Sequence, residues 1–302
     1  MTDFLSAVGQ QVARQWLALL ALPGLLLIAA IAAGETLGQN RSLDLRLLTH
    51  AGSELAARFQ DRGVPALVAG VALASAAAAV GVLARGVATA LQAAWLVSRL
   101  PGPAGRLLAS RTRARARRWQ DADRRYRDAR RAHEDDRFVA ELAASRNRIA
   151  LAKPTHPTWM GDRLAAAGAR VYHQYGLDLQ FSWPRLWLVL PELARTEVRG
   201  ARDSFAAAAT LQAWGVFYLA LGVIWWPSAV CGAFAAVVGW RRGRAAAAAL
   251  ADLVGSSYDL HWRDLAAALG FGPAGPGQVT PAGGAAAIAS GAEINELIRK
   301  GS

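Results

Sequence analysis

Residues 205–240 read FAAAATLQAWGVFYLALGVIWWPSAVCGAFAAVVGW, a run of 36 residues without a charged side chain that is followed by Arg241, Arg242 and Arg244. A helix crosses the hydrocarbon core of a membrane with about 20 apolar residues, so this run is too long for one ordinary span. Trp226-Pro227 lies just past its middle. Because tryptophan favours the membrane interface and proline interrupts a helix, the run predicts a helical hairpin that turns there.

The composition agrees with a membrane protein that has a substantial aqueous part. Hydrophobic residues make up 54% of the 302 positions, and they are concentrated in blocks. The formal net charge is +12, and residues 98–204 hold 22 basic and 12 acidic side chains. A basic block beside membrane spans either sets the topology or attracts anionic lipid or nucleic acid, and we favour the topology interpretation.

Two further spans are predicted in the first 100 residues. The stretch 15–34 has 20 residues without a charge. We interpret it as a retained span rather than a cleaved signal peptide, whose apolar region would be shorter. The second span covers 65–84. Between them, residues 35–62 balance four arginines with four acids, and we expect short helices on the membrane surface there.

The second span carries two features with possible functions. Ala66, Gly70, Ala74 and Ala78 recur every four residues, which predicts a small-residue face that another helix can approach closely. Arg85 follows the span directly. We favour an interfacial position for Arg85, with the next segment lying along the membrane. If the span instead continues to Trp95, Arg85 is an intramembrane charge and marks a functional site.

The segment 111–149 is rich in arginine and aspartate and predicts a solvated, charged helix at the inner membrane face. Trp119, Ala122, Tyr126 and Ala129 form a narrow apolar seam, as in a coiled coil or a single packed face. Nucleic-acid binding is the alternative. Because acids neutralise about half of the cations, we do not favour it.

Residues 154–163 start a new unit, with a helix predicted from about residue 161 to 172 and a stop at Tyr175-Gly176. The apolar segment 177–190 is interrupted by Trp183-Pro184-Arg185. It suits an interfacial or re-entrant segment or a core element of the aqueous part, and we favour the interfacial position.

The C-terminal region is predicted to be helical with one flexible linker. Helices are expected over 245–254 and 256–269, and the Gly/Pro-rich stretch 270–284 predicts a linker. Residues 285–300 place Ile294, Leu297 and Ile298 on one helical face. This helix could dock on the protein itself, on the membrane or on a partner, and we favour a partner-binding tail.

The charge distribution gives the topology and the domain organisation. Four spans place both termini and the basic block 98–204 in the cytoplasm and the neutral loop 35–62 outside. The predicted fold class is therefore an all-α integral membrane protein with about four transmembrane helices and a cytosolic helical region. The four predicted regions are 1–100, 101–204, 205–244 and 245–302.

No residue pattern predicts a particular chemistry. The sequence lacks a phosphate-binding loop, a dinucleotide fingerprint and a metalloprotease motif, and its five histidines are dispersed. A lone Cys231 excludes an intrachain disulfide. His173 and Asp162-Arg163 are the best catalytic candidates, yet we interpret them as packed or helix-stabilising residues. Asp259 and His261 point in different directions on a helix. No catalytic, metal or cofactor site is therefore predicted.

Three motifs support a resemblance: Thr158-Trp159-Met160-Gly161-Asp162-Arg163, Trp183-Pro184-Arg185-Leu186-Trp187-Leu188 and Trp225-Trp226-Pro227. With them the chain resembles a group of uncharacterised actinobacterial multi-pass membrane proteins, in which TWxGDR-like, WPRLWL and WWP segments occur in this order. The resemblance covers roughly the C-terminal half. It implies a multi-pass architecture and a bacterial inner membrane, and no particular activity.

The leading functional hypothesis is a non-enzymatic anchor, scaffold or membrane component of a larger bacterial assembly. Its expected partners are the bilayer, anionic lipid at the cytosolic face, and a second protein or further copies of the chain, while nucleic acid is not expected. A homo-oligomeric channel or transporter that uses Arg85 is the alternative, and an enzyme ranks last. The candidate interaction residues are Trp119, Tyr126, Trp159, Asp162, Arg163, Ile294 and Leu297.

Overall fold

The structure, a computed structural model, describes residues 22–44, 46–47, 49–50, 53–54, 57, 63–271 and 285–299. Across these residues it is 85% helical without strands, which confirms the all-α class. Three predictions fall partly or wholly outside the described residues: the first span before residue 22, most of the connection 45–62, and the linker 272–284.

Nine helices follow one another in this described part of the chain. They are α1 (Leu22–Leu37), α2 (Gly63–Leu96), α3 (Gly102–Arg131), α4 (Asp136–Ile149), α5 (Trp159–Tyr175), α6 (Leu179–Val189), α7 (Glu192–Leu221), α8 (Trp226–Ala268) and α9 (Ala285–Arg299).

The chain forms two compact units. Unit 1 contains the residues up to Gln92 together with Ala206–Arg241, and unit 2 contains Ala93–Phe205 together with Arg242–Ser302. The long helices α2, α7 and α8 contribute to both units. Each unit therefore combines two stretches that are far apart in the sequence.

Unit 1 contains the predicted helical hairpin. The helix α7 ends at Leu221, and α8 begins at Trp226 with Pro227 in its first turn, where a missing backbone N–H is tolerated. Backbone bonds from Gly222 and Ile224 back to the last turn of α7 close the connection. The turn thus lies beside the Trp-Pro pair that predicts it.

Glycines bring the two arms of this hairpin into backbone contact. A Cβ atom on Gly215 or Gly232 would lie 2.7 Å or 2.5 Å from a backbone nitrogen of the opposite arm, and one on Gly239 would lie 2.9 Å from such a nitrogen. Gly215 and Gly222 are seven residues apart, as are Gly232 and Gly239. This spacing keeps a small-residue face against a partner helix over two turns.

The turn of the hairpin is held by the segment that follows α1. The Gln39 side chain donates to the carbonyl oxygens of Gly222 and Val223, at 3.1 and 2.7 Å, and accepts from the Trp226 nitrogen at 3.2 Å. The Trp225 indole donates to the Ser42 carbonyl at 3.0 Å. A single amide side chain thus forms hydrogen bonds with three backbone groups at the end of one helix and the start of the next, where backbone groups lack partners within the helices.

The small-residue face of α2 differs from the predicted one. The small residues of α2 that are buried within the molecule are Ala77, Gly81, Ala84 and Ala88. Gly70 and Ala74 are exposed, and no atom lies within 4 Å of a Cβ built on Gly70. Two of the four predicted residues are therefore exposed, and the approach of another helix to this face stays a prediction. Every-fourth-residue spacing is common in an alanine-rich helix and does not specify which face packs within the chain.

Among the described residues, two helices are long and apolar enough to cross a membrane, namely Leu67–Leu96 within α2 and Glu192–Leu221, which is α7. Only 17% of the most apolar stretch of α2 is buried, so it directs most of its side chains outward. The helix α1 is apolar but shorter, with 16 residues. The arrangement with four spans stays a prediction.

Unit 2 contains an antiparallel pair of helices in place of the single charged helix predicted over 111–149. The chain reverses between α3 and α4 at residues 132–135, where His133 adopts a positive φ of 54°. The sequence offered no glycine or proline at this turn. The prediction of one continuous helix was therefore wrong.

The apolar core of unit 2 is formed by α5, α6, the second half of α8 and α9. Its fully buried side chains include Tyr175, Leu186, Tyr258 and Ile294. The segment 177–190 lies in this core, which favours the core-helix alternative over the interfacial position. The two helices expected over 245–254 and 256–269 are one, since α8 continues to Ala268.

Candidate functional site

The TWxGDR-like motif forms the start of α5 and the polar centre of unit 2. Thr158 is the N-cap of α5, and its hydroxyl accepts from the Gly161 nitrogen at 3.0 Å. Its hydroxyl also donates to the Trp95 carbonyl. This cap pairs one of the four open N–H groups of the first turn and fastens the end of α2 to α5.

Asp162 is the carboxylate of this motif and is buried, with 6% of its surface exposed. Its Oδ1 accepts from the backbone nitrogens of Thr155 and His156, both at 2.8 Å, and its Oδ2 accepts from Arg115 Nη2 at 2.7 Å. The same Arg115 nitrogen donates to the Ile149 carbonyl at 3.1 Å. We call Arg115, Thr155, His156 and Asp162 the Asp162 cluster. It ties α3, the end of α4 and the loop before α5 together.

The Asp162 cluster is not arranged as a catalytic relay. His156 Nδ1 lies 2.9 Å from the Thr155 hydroxyl and 3.7 Å from Asp162 Oδ1, so one ring nitrogen faces both groups. A nucleophile–histidine–carboxylate relay needs the hydroxyl and the carboxylate on opposite ring nitrogens. In addition, both Asp162 oxygens already accept hydrogen bonds. The geometry suits a residue that positions its neighbours.

Aromatic contacts lie beside the start of α5, at Trp95 and Trp159. Trp95 packs edge-on against Phe205, with ring centroids 5.3 Å apart. A Cβ on Gly243 would lie 2.9 Å from the Trp95 ring, so α8 passes this indole closely at a residue without a side chain. The Arg244 guanidinium lies over the Trp159 ring at 4.5 Å, a cation–π contact. Trp159 is thus engaged within the chain.

The predicted apolar seam of α3 packs against α4. The Trp119 indole donates to the Ala150 carbonyl at 2.9 Å, and the Arg146 guanidinium lies over the Tyr126 ring at 4.6 Å. Asp123, buried between the helices, pairs with Arg146 at 3.1 Å and Arg127 at 2.6 Å. Trp119 and Tyr126, expected to contact a partner, are therefore half-buried inside unit 2.

Arg163 and the C-terminal helix account for the other candidate interaction residues. Arg163 pairs with Asp252 at 2.7 Å. Ile294 is fully buried in the core of unit 2, whereas Leu297 is about half exposed. Asn295 donates to the Gly176 carbonyl at 2.5 Å and accepts from the Asp178 nitrogen at 3.0 Å. The helix α9 thus docks on its own unit, and only Leu297 of the two predicted residues is open to a partner.

The hydroxyls of two buried tyrosines extend the polar contacts into the core. Tyr175 donates to Asp259 at 2.6 Å, and burial together with this carboxylate raises the Tyr175 pKa above its ordinary value. Burial likewise raises the pKa of Tyr258, whose hydroxyl lies 2.7 Å from the Ser182 hydroxyl. Both phenols therefore stay protonated at neutral pH.

The remaining chemical candidates are dispersed. His173 is exposed beside Tyr172 and lines a groove of ≈ 430 Å³ between α5 and α9. Asp259 and His261 have different partners, since His261 pairs with Asp264 at 2.8 Å. Arg85 is exposed within the helix α2, which continues without interruption to Leu96, so the helix extends beyond the span predicted over 65–84. The interfacial position of Arg85 stays a prediction. Among the described residues, no group of three metal-ligating side chains occurs.

Sequence reasoning missed three residues with structural roles. Arg115 and Asp123 stabilise the site, and Gln39 stabilises the turn of the hairpin. Arg115 and Asp123 lie in a run of alternating charges, in which nothing distinguishes an inward side chain from a solvated one. Gln39 is an isolated amide in a loop. The one available signal was the seam of α3, because Arg115 lies four residues before Trp119 and Asp123 four residues after it.

No protein-family model, no curated protein and no solved structure matches the chain.

Proposed function

We propose that the protein is a non-enzymatic integral membrane protein, with unit 1 embedded in the bilayer and unit 2 forming a helical platform for a larger bacterial assembly. The observation that carries the proposal is the apolar surface of unit 1. Its exposed large apolar side chains include Leu22, Leu26, Leu67, Val68, Val71, Leu73, Val82, Leu83, Val216, Leu219, Val223, Ile224, Trp226, Val230, Phe234 and Val237.

Exposed large apolar side chains in this number are unusual for a soluble protein. Phe234 is 72% exposed and Val223 82% exposed, and they lie on a hairpin that carries no charge from residue 205 to 240. Contiguous apolar patches on soluble proteins rarely exceed a few hundred Å². In a bilayer the same side chains contact lipid, and the helical backbone satisfies its own polar groups. Close glycine packing of the two arms is likewise a common way for helices to associate in lipid.

The lengths of the helices are compatible with the proposed spans. The 34 residues of α2 extend about 51 Å, which exceeds a hydrocarbon core of about 30 Å. The apolar start of α8 is only about 22 Å long up to Trp240. Arg241 and Arg242 would therefore direct their charged ends to the interface. The inner membrane is the location that the resemblance implies.

A scaffolding role is supported by the contacts of the polar residues in unit 2. The motif that looked most like a reactive site, Trp159 to Arg163, makes its polar contacts within the chain. Buried ionic contacts of this kind fix how helices are arranged, although they add little net stability. Unit 2 is thus built to hold a defined shape, which is what a docking platform requires.

The proposal is tested by fractionation and purification. Alkaline carbonate removes peripheral proteins from membranes, so the chain should stay in the membrane pellet and should need detergent for extraction. The mass of the purified particle, and of any protein that copurifies, then identifies the assembly. Release of the whole chain into the carbonate supernatant would contradict the proposal.

A channel or transporter is the second candidate, and one observation favours it. Arg85 is the only charged residue of 67–96. It is exposed on an apolar helix that continues without interruption on both sides of it. An exposed cation inside the hydrocarbon layer of the bilayer would be energetically costly unless it faces water or a partner. In liposomes, Arg85→Ala should change the conductance of an oligomeric pore. The same flux with Arg85→Ala as with the parent chain would exclude Arg85 from a pathway.

A further inference from the structure

The first half of α3 concentrates positive charge without acids. Residues 102–120 contain six arginines, at positions 106, 111, 113, 115, 117 and 118, and no aspartate or glutamate. The second half, 121–131, adds Asp121, Asp123 and Asp128, which pair with arginines three or four residues later. More than half of the net positive charge of residues 98–204 therefore lies in the half of α3 that follows α2 in the sequence.

Three of these arginines form a stripe on one side of the helix. Arg106, Arg113 and Arg117 are spaced by seven and four residues, which places them on one face. All three are exposed, and none forms an ion pair with a carboxylate in the described part of the chain. Arg115 lies on the opposite face and reaches Asp162. We call Arg106, Arg113 and Arg117 the arginine stripe.

Exposed leucines lie next to the stripe. Leu107 is 64% exposed and Leu100, in the connection before α3, is 48% exposed. Arginines beside outward leucines suit the boundary between lipid headgroups and acyl chains, where the cations meet phosphate and the leucines enter the apolar layer. A nucleic-acid surface instead uses aromatic side chains for base stacking, and the aromatic residues of this helix, Trp119 and Tyr126, face α4.

We propose that the arginine stripe, with Leu100 and Leu107, binds the phosphate headgroups of anionic lipids at the cytosolic leaflet. The inference rests on the proposed membrane location and deepens it by naming the lipid class and the residues. Each arginine contributes a separate attraction to an anionic surface. Because guanidinium groups bind phosphate oxygens through two parallel hydrogen bonds, lipids with an exposed anionic phosphate should be selected over zwitterionic ones.

The test compares two triple variants of the full chain that change the net charge equally. One replaces the stripe (Arg106→Gln, Arg113→Gln and Arg117→Gln). The control replaces three arginines of the second half, two of them paired with Asp121 and Asp128 (Arg124→Gln, Arg130→Gln and Arg131→Gln). Each protein is purified in detergent and mixed with equal amounts of phosphatidylglycerol and phosphatidylcholine of the same acyl chains. Native mass spectrometry counts the lipids retained.

The parent chain should retain about ten times as many phosphatidylglycerol molecules as phosphatidylcholine molecules. The stripe variant should lose this preference, since each cation adds a separate attraction to the anionic headgroups. The control should keep the preference within about twofold, because two of its three arginines are already paired with aspartates. A parent chain without preference, or a control that loses as much as the stripe variant, would overturn the proposal. Tight binding of a short RNA without lipid preference would do the same.

Carbonate extraction separates this proposal from the one on which it rests. A chain that stays in the membrane pellet but shows no lipid preference contradicts the stripe alone. A chain that is released by carbonate yet retains phosphatidylglycerol through the stripe contradicts the membrane-embedded unit and supports the stripe as a peripheral lipid site.

Discussion

Unit 1 and unit 2 are both helical, yet the interactions within unit 1 differ from those within unit 2. Unit 1 packs small residues against backbone and leaves many large apolar side chains exposed beside a small core of Leu27, Trp214 and Leu221. Unit 2 buries large aromatic and aliphatic side chains and fixes its helices with ion pairs and caps around Asp162. The first pattern suits an apolar solvent, in which burial of leucine gives no advantage, and the second suits water. This difference is the basis of the proposal that unit 1 is embedded in the bilayer and unit 2 lies in water.

The largest effect is expected from breaking the Asp162 cluster. Asp162→Ala leaves the Arg115 guanidinium and two backbone N–H groups without their acceptor, which should destabilise unit 2 by about 3–5 kcal/mol. Hydrogen-exchange mass spectrometry on the purified chain should show faster exchange in α3 and α5, and unchanged exchange in the hairpin of unit 1. The exposed Asp128→Ala is the control and should cost less than about 1 kcal/mol. Equal protection in both variants would refute the role of the cluster.

The next effect is expected in unit 1 at the glycine contacts of the hairpin. Gly232→Ala places a methyl group 2.5 Å from a backbone nitrogen of the other arm, so the arms must separate, at a cost of about 1–3 kcal/mol. Gly70→Ala is the matched control on α2. It meets open space and should be neutral or stabilise that helix by up to about 1 kcal/mol. Thermal unfolding in detergent compares the two, and an equal response would mean that the arms are not in contact.

A smaller effect is expected at Gln39, whose side chain bonds to the backbone of the hairpin turn. Gln39→Ala removes three hydrogen bonds to exposed backbone groups, which water replaces in part, so the loss should be about 1 kcal/mol. The neighbouring Asn40→Ala, whose side chain is also exposed, serves as the reference. Hydrogen exchange at the amides of Gly222–Trp226 should rise in the first variant only. A rise in both would assign the effect to the loop as a whole.

The smallest effect concerns the pH dependence of unit 2. Burial raises the pKa of Tyr258 in the folded state above its ordinary value of 10.0, so folding favours the protonated phenol. The stability that this contributes is present below that pH and is lost as the pH rises above it. Tyr258→Phe should therefore weaken the decline in unfolding temperature between about pH 9 and about pH 11. The exposed Tyr172→Phe should decline like the parent chain, and an identical decline in all three would contradict the assignment.

The sequence predicted local features better than long-range pairs. The charge-free run and its Trp-Pro pair predicted the hairpin, and Tyr175-Gly176 predicted the end of α5, because such signals act within one or two turns. The partner of Asp162 is 47 residues away, and the turn at His133 that makes the approach possible carries no turn signal. The seven-residue glycine spacing was present in the sequence, but a single arm does not show which face meets the other.

The most direct test of the membrane-embedded hairpin uses the single cysteine. Cys231 lies on α8 with its side chain exposed in the protein, so water would leave it open to reagents. A charged maleimide added to membrane fragments should fail to label Cys231 until a denaturing detergent is added, because lipid covers this face of the hairpin. A cysteine placed in unit 2 on a Cys231→Ala background, such as Glu134→Cys, should react at once. Rapid labelling of Cys231 in untreated membranes would contradict the account.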